Sequence, residues 1–162
     1  MKAVFLGRFQ PFHKGHYFVV KDHRDDYEEF AVALGSPGKS RTRENPLNAE
    51  ERKEIIHACF PEIDLFEVED EDRGKEGYPA WTQRLVEETG AGIILSGNDL
   101  VKRLVREYSD AEVLEIEHHE PDHFSGTEIR RRIREGEEWE ELVPDCCLEE
   151  VKSYEKIIRE AG

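Results

Sequence analysis

Near the start of the chain, the stretch Gly7-Arg8-Phe9-Gln10-Pro11-Phe12-His13-Lys14-Gly15-His16 gathers groups that hold phosphate. Arg8 and Lys14 bring full positive charge, and His13 and His16 can each donate a ring N–H to a phosphoryl oxygen. Gly7 and Gly15 let backbone approach an anion with no Cβ in the way. The preceding Ala3-Val4-Phe5-Leu6 reads as a strand, and the following Tyr17-Phe18-Val19-Val20 as the apolar start of a helix whose first-turn N–H groups point at the ligand. The stretch contains neither Gly-x4-Gly-Lys-Ser/Thr nor Gly-x-Gly-x-x-Gly, so it is neither a P-loop nor the dinucleotide fingerprint.

Positioning such a loop requires a scaffold, and the apolar pattern supplies one. Strand-like runs fall near residues 2–6, 29–34, 64–68, 92–96 and 112–116; helical patterns fall near 15–24, 48–60, 79–89, 98–108, 126–134 and 145–160. Strands alternating with helices imply right-handed crossovers and an α/β fold, a doubly wound parallel sheet covered on both faces. No repeat or linker interrupts it, so residues 1–162 are expected to form a single domain with the helix at about 145–160 packed on it. Ligands of such sheets bind beyond the carboxyl ends of the strands, where every candidate loop lies.

Further along, Phe124-Ser125-Gly126-Thr127-Glu128-Ile129-Arg130 opens a helix with hydroxyls and an arginine, although Ser125 with Glu128 also fits an ordinary capping box. The two motifs together resemble the His-x-Gly-His nucleotidyltransferase superfamily, and the longer Gly-Arg-Phe-Gln-Pro-Phe-His-x-Gly-His resembles its archaeal-type nicotinamide mononucleotide adenylyltransferase branch. That resemblance implies a Rossmann-like nucleotidyltransferase fold and adenylyl transfer from ATP to nicotinamide mononucleotide, giving NAD and pyrophosphate. It implies that His13, His16, Arg8 and Arg130 are catalytic and that Gly7, Phe9, Lys14, Gly15, Ser125, Gly126 and Thr127 bind ATP. It also implies a homo-oligomer, with Mg²⁺ bridged mainly by phosphates rather than held by a protein cage.

The pyridine nucleotide falls by the same resemblance to Arg43, Trp81, Asn98 and an aspartate of the 70–78 loop. Arg43 matches the arginine of a Gly-Ser…Arg-x-Asn-Pro segment, with Leu47 where the family usually has an aromatic and Asn48 where it has Thr. Trp81 matches the tryptophan that stacks on the nicotinamide ring, a sensible contact for a cationic pyridinium, or is a core residue at a helix start. Asn98 belongs to a Ser-Gly-Asn element followed by Asp99 instead of proline, and is equally well placed as a helix N-cap. Asp70 and Asp72 are both candidates to order the ribose or the cation.

Composition narrows the partners. A net charge of −15 repels polyanions and argues against nucleic acid. Positive charge instead collects in Lys39, Arg41 and Arg43 and in Arg130, Arg131, Arg132 and Arg134, which suits a small polyphosphate, while pairing with neighbouring glutamates is an equal reading for the last three. No signal peptide or membrane run is evident, so a soluble cytoplasmic protein is expected. Cys59, Cys146 and Cys147 form no zinc or disulfide pattern; Cys59 reads as a small core residue and the other two as core or interface residues. His118, His119, Asp122 and His123 with Cys146-Cys147 match no zinc spacing and are read as a loop near the nucleotide. Two alternatives stay open: transfer to another phosphate acceptor, such as phosphopantetheine, flavin mononucleotide or glycerol phosphate, and a nucleotide sensor without turnover.

Overall fold

The strand β1 (Lys2–Gly7) runs through the middle of a five-stranded sheet, and Ala3, Val4, Phe5 and Leu6 are all buried on its two faces. A strand apolar on both faces is the mark of a parallel sheet covered by helices. The computed structural model describes residues 1–116 and 124–162. The other strands are β2 (Glu29–Gly35), β3 (Asp64–Val68), β4 (Ile93–Leu95) and β5 (Glu112–Leu114). Their order is β3-β2-β1-β4-β5 and every pairing is parallel. The order therefore reverses between β1 and β4, the switch point of a doubly wound sheet.

The helices are α1 (Lys14–His23), α2 (Ala49–Cys59), α3 (Tyr78–Thr89), α4 (Asp99–Tyr108), α5 (Gly126–Glu135), α6 (Leu148–Ser153) and α7 (Glu155–Glu160). The described residues group into two compact units, each made of three segments. Residues 1–7, 21–37 and 63–116 form the first, which holds the sheet with α3 and α4. Its core joins Val4, Leu6, Ala31, Ala33, Val68 and Ile94 of the sheet to Leu85 and Val105 of the helices. Residues 8–20, 38–62 and 124–162 form the second, which carries the phosphate-loop candidate, most of α1, and α2, α5, α6 and α7.

Two expectations are corrected in the helical unit. The helix foreseen at 145–160 is a 3-10 turn (Asp145–Cys147) followed by α6 and α7, with Tyr154 between them at φ −103°, ψ 4°. Cys59 is not a free core residue: it forms a disulfide with Cys146, tying the end of α2 to the turn before α6 across 87 residues of sequence. Only Cys147 is a free thiol, buried, and its burial pushes the thiol up to about 12. Adjacent cysteines hide this pairing in a one-dimensional reading, since only folding brings Cys59 to one of them.

A crosslink over so long a loop restricts the unfolded chain. Cys59→Ala with Cys146→Ala should therefore lose about 2–4 kcal/mol in urea unfolding under oxidising conditions. An unchanged midpoint would show that the disulfide contributes nothing to the folded state.

Candidate active site

Between Gly7 and α1 the chain makes a compact turn whose side chains are set by aromatic packing. Phe9 adopts φ 55°, a left-handed conformation that costs a non-glycine residue about 1–3 kcal/mol. The compensation is burial, for Phe9 and Phe12 are both essentially inaccessible and pack 5.9 Å apart. Phe9 meets the His16 ring edge-on at 4.7 Å and Phe12 stacks on it at 5.6 Å. Gln10 precedes a cis peptide to Pro11 and uses its side-chain amide like a short strand, donating to Leu47 O at 2.8 Å and accepting from Leu47 N at 2.9 Å. The leucine that stands in place of the family's aromatic is thus fully buried and locked to the loop by its backbone.

The two histidines form one unit. Their rings stack with centroids 3.6 Å apart. His16 Nδ1 accepts from the His13 backbone N–H at 3.2 Å, and His13 Nδ1 accepts from the Gly15 N–H at 3.0 Å. With both Nδ1 atoms acting as acceptors, the proton of each neutral imidazole belongs on Nε2, the nitrogen that can donate to an oxygen of a ligand. Gly15 makes this possible, because a Cβ there would lie 2.8 Å from His13 Cε1. Burial pushes His13 down to about 3, and burial together with the His13 charge holds His16 well below its ordinary range. Lys14 opens α1, whose first turn has no acidic residue, leaving the positive helix end without a local counter-charge.

Arg130 is placed from α5. Ser125 caps that helix by accepting from Glu128 N at 3.1 Å, so the capping reading of Ser125 holds, but the Glu128 carboxylate faces Arg131 and Arg132 instead of completing a box. Those two arginines hold the Glu128 carboxyl down at about 2. Arg130 donates to Gln10 O at 2.8 Å and to Thr127 Oγ1 at 3.3 Å, while its buried Nε has no partner among the described residues. Gly126 permits the approach, since a Cβ there would lie 3.0 Å from Gln10 O and 2.8 Å from Arg130 Nη1. Burial, then Arg134 and Arg8, lower Arg130 to about 10 against the pull of Glu44, so it remains charged at neutral pH.

In the 38–48 loop the basic residues divide by role. Arg41 is structural: it forks onto Glu51 at 2.7 and 3.0 Å and donates to Pro46 O at 2.9 Å. Asn48 and Glu51 complete a reciprocal capping box on α2. Arg43 is exposed, as is Arg8, and neither side chain has a hydrogen-bond or ion-pair partner among the described residues. Arg52 is a positioning residue that the sequence reading missed. It is fully buried and donates to Arg8 O at 3.0 Å and Asn48 O at 3.2 Å, fixing the backbone that carries Arg8. Its phase on α2, three and four residues before the buried Ile55 and Ile56, was the available signal.

The sheet-bearing unit holds the remaining candidates. Gly7 ends β1, paired with Leu34 of β2. Asp70 is exposed after β3 and accepts from Ser36 Oγ at 3.0 Å, joining the loops that follow two neighbouring strands; Asp72 is exposed. Trp81 is half-buried and packs against the sheet's core. Asn98 caps α4, accepting from Leu100 N at 2.9 Å and Val101 N at 3.2 Å, which leaves its amide N–H groups as its ligand donors. His118, His119, Asp122 and His123 lie outside the described residues. Among the described residues no group of three or more His, Cys, Asp or Glu is arranged to hold a metal ion, and no helix is long and apolar enough to cross a membrane.

A doubly wound parallel sheet, with a His-x-Gly-His loop leaving its first strand, defines a nucleotidyltransferase. The chain belongs to the cytidylyltransferase-like family, whose model matches residues 4–132, and within it to the archaeal-type nicotinamide-nucleotide adenylyltransferases. It is 34% identical over 161 residues to the nicotinamide-nucleotide adenylyltransferase of Methanosarcina mazei, covering 98% of this chain and 91% of that protein. It is 32% identical to the enzyme of the same name from Methanolobus tindarius, with the same coverage. Among solved structures, a bifunctional NMN adenylyltransferase/ADP ribose pyrophosphatase from Francisella tularensis shares the fold with a TM-score of 0.80 at 17% identity. That match covers 99% of this chain and 52% of the other, so the chain spans about half the length of that protein.

Two outcomes test the histidine geometry. Between about pH 3 and 6.5 the unfolded chain takes a proton on His13 that the folded chain refuses, so this residue removes stability as pH falls, by up to about 1.4 kcal/mol per pH unit. Urea unfolding from pH 7 to pH 5 should accordingly show a shallower pH dependence for His13→Gln than for the unmodified chain; equal slopes would place a charged or exposed imidazole there. Gly15→Ala should displace the His13 ring and reduce kcat at least about tenfold while the circular dichroism spectrum stays folded. Full turnover in that variant would show that the ring's position is immaterial.

Proposed function

We propose that this chain transfers the adenylyl group of ATP to nicotinamide mononucleotide, forming NAD and releasing pyrophosphate. The observation that carries the reading is a helical unit in which Arg8, Arg43 and Arg130 have no carboxylate partner among the described residues, beside two histidines kept neutral with Nε2 as donor. Unneutralised cations beside neutral donors suit a polyphosphate, and the full-length relatives carry the name of this activity.

An oxygen of the mononucleotide's 5′-phosphate attacks the α-phosphorus of ATP in line. The new P–O bond forms as the bond to the β-bridging oxygen breaks, and pyrophosphate leaves with that electron pair. The attacking group is already an anion, so no general base is required, and catalysis rests on position and charge stabilisation. His13 and His16 donate from Nε2 to the α-phosphoryl and bridging oxygens, where negative charge grows. Arg8 and Arg130 hold the β- and γ-phosphates; Lys14, the backbone at Gly7, Gly15 and Gly126, and the Ser125 and Thr127 hydroxyls complete the ATP cradle. Phe9 acts by holding the His16 ring. Arg43 takes the phosphate of the mononucleotide, while Trp81, Asn98 and Asp70 are assigned to its nicotinamide riboside.

Mg²⁺ enters as the ATP complex, with phosphate oxygens as its principal ligands. The gathering of Arg8, Arg43, Arg130, His13 and His16 in the helical unit fits that division, because arginines and histidines complement phosphate rather than a cation. A solved structural neighbour, the Francisella tularensis protein with AMP and a Mn ion, binds a divalent metal with its nucleotide. The reading carries with it a homo-oligomer, which the motif resemblance implies, placed in the cytoplasm.

The test is pyrophosphate release with ATP, Mg²⁺ and nicotinamide mononucleotide, run beside phosphopantetheine, flavin mononucleotide and no acceptor. Selective release with the pyridine nucleotide and NAD as product is expected, and His16→Ala should lower kcat by at least about a hundredfold. Release only with another acceptor would keep the chemistry and discard the pyridine site. ATP binding without turnover in any well would make the chain a nucleotide sensor.

A further inference from the structure

The arginines of α5 are sorted in a way that exposes one more functional residue. Arg131 engages Glu128, Glu135 and Glu137, and Arg132 engages Glu128 and Glu141. Arg134, one turn after Arg130 on the same helix, pairs with no carboxylate among the described residues. Its Nη2 donates instead to the backbone carbonyl of Arg43, and its Nε is buried without a partner among the described residues. A half-buried guanidinium is thereby anchored to the carbonyl of one unpaired arginine, one helical turn from another.

This placement is unfavourable by itself. Burial and then the Arg43 charge lower Arg134, and the Arg134 charge in turn lowers Arg130, with Glu44 opposing both effects. Like charges that outnumber their counter-ions weaken a fold unless a ligand neutralises them. Arg41, in the same loop as Arg43, shows the alternative, since there Glu51 satisfies the guanidinium.

We propose that Arg134 is a fourth polyphosphate-binding arginine, whose charge is fixed among Arg43, Arg130 and Arg8 by its hydrogen bond to the Arg43 carbonyl and serves to hold the triphosphate and the pyrophosphate product. The proposal rests on the reading that this unit binds ATP phosphates. It assigns Arg134 to affinity rather than to the chemical step.

Calorimetric titration with inorganic pyrophosphate and Mg²⁺ tests it without turnover, using the full chain and Arg134→Met, Arg134→Gln and Arg134→Lys. The Gln variant keeps a donor for the Arg43 carbonyl and loses the charge, whereas the Lys variant keeps both. Arg134→Met and Arg134→Gln should bind pyrophosphate about tenfold more weakly, the scale of one charge-assisted contact. Arg134→Lys should stay within about threefold of the unmodified chain, and Arg106→Ala on α4 should not change binding. In steady state the KM for ATP should rise with the Gln variant by a similar factor while kcat changes little.

Should Arg134→Met fail to fold, Arg134→Gln decides. Unmodified affinity in the Gln variant would overturn the proposal, as would a Lys variant as weak as Met, since the side chain would then matter for packing alone. An unmodified chain that does not bind pyrophosphate would overturn it too. A chain that binds pyrophosphate with the expected order of variants yet makes no NAD would remove the adenylyltransferase reading and leave the arginine assignment standing.

Discussion

Positive charge without a carboxylate pair among the described residues is the constraint around which the helical unit is arranged. With 38 acidic residues against 23 lysines and arginines, almost any arginine on this chain could find a carboxylate. Arg41, Arg131 and Arg132 do, in forked or networked contacts. Among the described residues Arg8, Arg43, Arg130 and Arg134 do not, and two of them are lowered by burial and mutual repulsion. On the proposed reading, an acidic protein that leaves four arginines without a carboxylate pair among its described residues gives up stability for a polyphosphate site.

Holding those charges in place falls to backbone carbonyls, which fix a guanidinium without neutralising it. Arg130 is held by Gln10 O, Arg134 by Arg43 O, and the backbone of Arg8 by the buried Arg52. Gln10 serves twice, since its main chain receives Arg130 while its side chain fastens the loop to Leu47. The glycines fit the same economy: Gly126 lets Arg130 come against Gln10, and Gly15 lets the His13 ring fold over its own turn. A His-x-Gly-His pattern is thus a steric requirement as much as a chemical one.

The histidines solve a complementary problem. Stacked at 3.6 Å, two imidazolium ions would repel strongly, and the Phe9 and Phe12 rings remove the water that would screen them. The pair is therefore neutral, each ring oriented by a backbone N–H at Nδ1. On the proposed reading, a neutral donor contributes to transition-state charge without binding the ground-state phosphates so tightly that they cannot leave, a division of labour with the arginines that suits a reaction needing no base.

Much of this was legible in one dimension because it is local. The apolar runs foretold all five strands, the parallel sheet follows from their alternation with helices, and the loop motifs carried the residue types for phosphate chemistry. Caps at Asn48, Asn98 and Ser125 were likewise readable, since a cap involves residues two or three apart. Contacts between distant segments were not. Cys59 could meet Cys146 only once α2 and the C-terminal turn were packed, and Arg134 became distinct from Arg131 and Arg132 only when α5 turned it toward the Arg43 loop. Composition and spacing decide which groups are present and which local hydrogen bonds they can make; the folded chain alone decides which charges are neutralised and which are held by carbonyls, because that depends on segments brought together from as far as 120 residues apart.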